Sequence, residues 1–120
     1  MNLLTIVDVK DRDSPHLYVK CTLFLETHAG GRLPLLVDRG WATNQSWEDV
    51  RLEEIVDEAP VVVGPDAGGS GDEEALASGH WEFLTARARA EGVNVSANEM
   101  RTLPHHVELT EQLKSRLAKA

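Results

Sequence analysis

Cysteine, aromatic residues and long apolar runs are all scarce in this chain, and each scarcity excludes something. One cysteine, Cys21, rules out an internal disulfide and the metal sites that need paired cysteines. Apolar runs are short, Val61-Val62-Val63 being typical, whereas a membrane-spanning helix needs about 20 apolar residues. The amino terminus, Met1-Asn2-Leu3-Leu4-Thr5, has no basic region and soon meets Asp8, so no signal peptide is expected and the cytoplasm is the expected compartment. Positive charge is scarce too. Twenty Asp and Glu against 12 Lys and Arg leave a net charge of −8. A phosphate backbone would repel such a chain, so direct nucleic-acid binding is not expected, nor is a membrane partner. What remains is enough for one domain over 1–120: 120 residues, 42% of them hydrophobic.

The negative charge is unevenly spread. Residues 1–47 are balanced and residues 75–120 are nearly so, while 48–74 hold ten acids against Arg51 alone. Less than a quarter of the chain therefore carries the whole imbalance.

Local patterns predict an α+β (or α/β) domain. Leu3 to Val9 is an apolar, β-branched run closed by a turn signal at Lys10 to Pro15. In Leu17 to Glu26, Leu17, Val19, Cys21, Leu23 and Leu25 alternate with polar or aromatic neighbours, the period of a half-buried antiparallel strand. Thr27 to Gly31 supplies a turn, and Arg32 to Asp38 returns as the hairpin partner. Pro34, which has no amide donor, places that partner at an edge. Ser46-Trp47-Glu48-Asp49 resembles a capping box, with Asp49 shorter than the preferred Glu, and opens a helix over about 47–58 closed by Pro60. Strand character is also compatible with 50–53. The apolar run Ala59 to Gly64 reads as a strand buried on both faces. A second box, Ser70 to Glu73, opens a helix over about 72–91, with Leu76, His80, Leu84 and Ala88 on one stripe beside Ala77 and Trp81, ended by Gly92. With a short strand at Val93 to Val95, residues 60–95 read as a βαβ crossover on a mixed sheet. Ser96-Ala97-Asn98-Glu99 caps a short helix stopped by Pro104. A last helix from about Thr110 turns Leu113 and Leu117 inward.

Few residue groups point to chemistry. Gly64 to Gly71 precedes a helix as phosphate-binding loops do, but no Lys-Ser or Lys-Thr follows, and Asp72, Glu73 and Glu74 occupy the turn where an anion would sit. No histidine pair has metal-ligand spacing, and no cofactor or metal is expected. His80 falls on an apolar stripe, and His105 and His106 are adjacent in an extended segment. Cys21 alternates with core residues, which suits an inert thiol. Asp11-Arg12-Asp13 departs from the calcium-loop pattern, since His16 stands where that loop needs glycine. Trp41 and Trp47 bracket a polar connector just before the acidic stretch, and tryptophan beside charge is the composition of a binding hot spot.

Two functions compete on this reading. The first is a non-enzymatic interaction protein, immunity- or antitoxin-like or regulatory, that docks a basic partner protein through Trp41, Trp47, Glu48, Asp49, Glu53, Glu54, Asp57 and Glu58. The second is a small-ligand-binding protein or enzyme with its site at the glycine-rich loop, using Asp66, Ser70, His80 and His105. A homodimer through the edge strand near Pro34 is a third arrangement compatible with the sequence.

Overall fold

A computed structural model describes residues 1–65 and 73–119. Four strands form one mixed sheet: β1 (Asn2–Val9), β2 (His16–Glu26), β3 (Arg32–Ser46) and β4 (His105–Leu109), in the order β3-β2-β1-β4. β1 runs antiparallel to β2, β2 antiparallel to β3, and β1 parallel to β4. A single 3-10 turn, Trp47–Asp49, leads into α1 (Leu52–Val62), followed by α2 (Glu73–Ala90), α3 (Ala97–Thr102) and α4 (Glu111–Ala118). The domain is α+β, with an antiparallel meander first and helices dominating the carboxyl-terminal half.

The alternation in β2 has the consequence expected of it. Leu17, Val19, Cys21, Leu23 and Leu25 are all buried, and they join Leu3, Val7 and Val9 of β1 in one core. Ile55, Ala59 and Val63 from the α1 region, Leu84 and Ala88 of α2, Met100 of α3 and Leu113 of α4 close that core from the helical side. Pro34 does lie on an edge strand, because β3 has only β2 as a neighbour. β3 continues well past Asp38, so the polar stretch between Trp41 and Trp47 is edge strand rather than connector. Gly40 makes that extension workable. A Cβ there would sit against the Val19 carbonyl oxygen and the Lys20 Cα, so the two strands could not approach as they do.

The crossover over 60–95 is not formed. Ala59 to Val62 is the last turn of α1, and Val93 to Val95 is unpaired. Burial gives the reason: Ile55, Ala59 and Val63, four residues apart, are at most 1% exposed, while Val61 is 65% exposed. A strand buried on both faces would hide Val61, whereas a helix hides one residue per turn. Pro60 therefore lies inside the helix instead of ending it. Its missing amide removes one bond near the carboxyl end, where burial of Ala59 and Val63 outweighs the loss. The parallel neighbour of β1 is β4 instead, and the Leu3 amide donates to the Pro104 carbonyl at 2.8 Å where they meet.

Caps follow local chemistry closely. Ser96 and Glu99 form a reciprocal capping box on α3, and the Thr110 hydroxyl accepts from the Leu113 amide to cap α4. Gly92, at φ +86°, takes the left-handed conformation after α2, and the Val93 amide donates back to Ala88 at 2.9 Å. Ser46 differs. Its side chain caps nothing and donates to the Asp49 carboxylate at 3.0 Å, so the chain makes one tight turn and restarts as α1. The stripe of α2 is rotated from the expected one: Ala77, Leu84, Thr85 and Ala88 are buried, and Leu76 is 39% exposed. The box at Ser70 and the glycine-rich loop beyond Pro65 lie outside the described residues.

Candidate functional site: an acidic groove beside Trp41

The two tryptophans that bracket the end of β3 have opposite fates. Trp47 is 2% exposed, its indole Nε1 donates to the Ser14 carbonyl at 3.1 Å, and the Arg116 guanidinium lies 5.1 Å from its ring centroid. It is a core residue and presents nothing to a partner. Trp41 pairs with Val19 across β2 and β3 and stays half-buried. It lines a groove of about 330 Å³ with Leu17, Thr43, Gln45, Glu54, Ile55 and Glu58.

That groove is built by two elements. β3 supplies Trp41, Thr43 and Gln45 at every second position, which is the spacing of one face of a strand. α1 supplies Glu54 and Glu58 one turn apart, with Ile55 beneath them in the core. Gln45 ties the two together: its amide Nε2 donates to the Asp49 carbonyl at 2.7 Å and to the Glu54 carboxylate at 3.4 Å. An indole face, two carboxylates a turn apart and an apolar floor can receive a guanidinium or ammonium group.

Among the described residues, the surrounding acids have no cationic partner. Glu48, Asp49, Glu53, Glu54, Asp57 and Glu58 are all exposed, and none of them forms an ion pair with another described residue. Elsewhere carboxylates do find cations, as Glu26 and Glu108 do with Arg32, and Glu74 with Arg101. Of the residues expected to bind a partner, the structure gathers Trp41, Glu54 and Glu58 at the groove, and places Glu48 and Asp49 on the 3-10 turn and Glu53 and Asp57 on α1. Trp47 alone is withdrawn.

Of the residues of the competing reading, only His80 and His105 are described, and they do not line a common cleft. Asp66 and Ser70 lie outside the described residues, and the strand expected before them is helix. His80 is half-buried on α2 with its ring edge-on to Trp81, centroids 5.0 Å apart. His105 lies at the start of β4, its Nε2 2.6 Å from the Thr5 hydroxyl. It lines a separate cleft together with Trp81, but not with His80. Burial, and secondarily the neighbouring His106, hold the His105 ring below its ordinary pKa. Burial alone pushes the Cys21 thiol up to about 11, which removes it as a nucleophile near neutral pH. No group of three or more His, Cys, Asp or Glu among the described residues could hold a metal ion. None of the described helices is long and apolar enough to cross a membrane.

Compared with known proteins, the chain matches no protein-family model, no curated protein and no solved structure.

Proposed function

We propose that this domain is a binding module that engages a basic partner protein through α1, the turn before it and the end of β3. The observation that carries this reading is the Trp41 groove, where a half-buried indole adjoins Glu54 and Glu58 within a field of carboxylates that form no ion pair with another described residue. An Arg or Lys of the partner enters the groove with its aliphatic stem on Trp41 and its charge between the two carboxylates. The remaining acids steer the encounter and disfavour acidic partners. The role is that of an immunity- or antitoxin-like protein, or of a regulatory subunit, which acts by covering a basic surface and needs no catalytic step.

The test is recovery of a partner from the native cell extract by the tagged full chain at low and high salt, in parallel with variants. The expected result is a basic protein retained at low salt and released at high salt. Trp41→Ala and the Glu54→Lys/Glu58→Lys double variant should lose it, while Glu82→Lys on α2 should keep it. A partner indifferent to Trp41 and to both carboxylates, or none under either condition, refutes the reading.

A further inference from the structure

A second concavity lies where the end of α1, Trp81 of α2, the end of α3 and the first residue of β4 meet above β1. Its volume is about 200 Å³, and Leu3, Leu23, Val63, Trp81 and Leu103 supply apolar walls. The only charged or titratable groups among its described lining residues are Arg101 and His105. In a chain of net charge −8, a cleft whose described lining residues include a guanidinium and an imidazole but no carboxylate stands apart from the acidic groove at Trp41.

His105 is fixed in this cleft by its strand register. It stands opposite Leu3 in the parallel pair, on the face that carries the core, and its Nε2 is 2.6 Å from the hydroxyl of Thr5, which is 0% exposed. The Thr5 hydroxyl can donate to Nε2 or accept from it; the tautomer in which it donates puts the ring proton on Nδ1, which has no hydrogen-bond partner among the described residues. Arg101 is held by Glu74, whose carboxylate is 3.0 Å from one guanidinium nitrogen. One such contact leaves other donors of the planar fork for a second acceptor.

We propose that this cleft binds a small apolar carboxylate, its hydrocarbon body among Leu3, Leu23, Val63, Trp81 and Leu103 and its carboxylate oxygens accepting from Arg101 and from His105 Nδ1. The size fits a single ring or a short branched chain, since pockets for larger ligands run from about 300 Å³ upward. A neutral ligand of the same shape would leave the guanidinium and the imidazole N–H without an ionic acceptor, and charge-assisted hydrogen bonds are the stronger ones.

Titration of the full chain with benzoate, followed by amide and side-chain NMR shifts, tests this against benzyl alcohol as the neutral counterpart. Saturable shifts at Leu3, Val63, Trp81, Leu103 and His105 are expected, with benzoate bound about tenfold tighter or more, the effect of one charge-assisted hydrogen bond. Arg101→Gln should lower benzoate to the level of the alcohol and leave the alcohol unchanged. Glu74→Gln, which keeps the guanidinium, should preserve the preference. Equal affinity for the two probes, or no saturable shift at the cleft, overturns the proposal. So does binding centred on Arg12, Arg116 and Lys119, which line another, larger cation-bearing concavity.

Discussion

Arg116 and Trp47 converge on a single acceptor. The indole Nε1 and a guanidinium nitrogen both donate to the Ser14 carbonyl, at 3.1 and 3.4 Å, while the guanidinium lies 5.1 Å from the indole centroid. The turn after β1, the turn before α1 and the last helix are locked together at this point. The charge needed there explains why a base stands on the half-buried side of α4.

If that lock is cooperative, the pair should couple in a double-mutant cycle. Trp47→Phe and Arg116→Met each remove one donor, and their combined effect on urea unfolding should differ from the sum by about 0.5–1 kcal/mol. Strict additivity would show that the two side chains act separately.

Gly40 offers a sharper steric test. Gly40→Ala should cost about 1–3 kcal/mol, because the methyl group must displace the β2 backbone. Gly79→Ala, where a Cβ meets nothing within 4 Å on helix α2, should stabilise by about 0.5–1 kcal/mol. Thermal denaturation of both variants checks the contrast.

The end of α1 can be distinguished from a strand by two neighbouring valines. Val63 is 1% exposed and Val61 is 65% exposed. Val63→Ala should cost about 2 kcal/mol, and Val61→Lys should stay within about 0.5 kcal/mol of the parent. Comparable losses at both positions would restore the buried strand.

His105 makes stability depend on pH in a defined direction. The fold holds its pKa below the ordinary 6.5, so the unfolded chain takes up the proton more readily. That contribution is complete above 6.5 and is lost as pH falls through the folded-state value. His105→Gln should therefore flatten the acid side of the stability profile measured by denaturant titration. An unchanged slope would remove His105 as its source.

Cys21, buried and with its thiol raised to about 11, should resist alkylation by iodoacetamide in the native protein at neutral pH and react fully once unfolded. Mass spectrometry of the two samples decides this.

The parts of the fold legible in the sequence are those fixed by neighbours in the chain. The alternation of β2, the Ser96–Glu99 box, the Thr110 start and the Gly92 stop are all short-range chemistry. Val61-Val62-Val63 reads locally as a strand because three consecutive β-branched residues suit one, yet it ends a helix, and only the sheet below selects that outcome. Composition cannot tell which of Trp41 and Trp47 is covered, since the cover on Trp47 comes from Ser14 and Arg116. The acidic half of the groove was readable as a charge excess. Its pairing with Trp41, and the cleft at His105, depend on strand order and could not be read locally.

The pairing of β1 with β4 also orders events in time. Thr5 meets His105 and Asp8 meets Thr110 across 100 and 102 positions, with the Thr110 hydroxyl 2.6 Å from the Asp8 carboxylate. The internal strand β1 is thus made well before its second neighbour, β4. Until residues 105–109 leave the ribosome, β1 exposes a row of unpaired amides and carbonyls to any strand nearby. Contacts of such long sequence separation also form slowly, so that exposure lasts into the folding of the complete sheet.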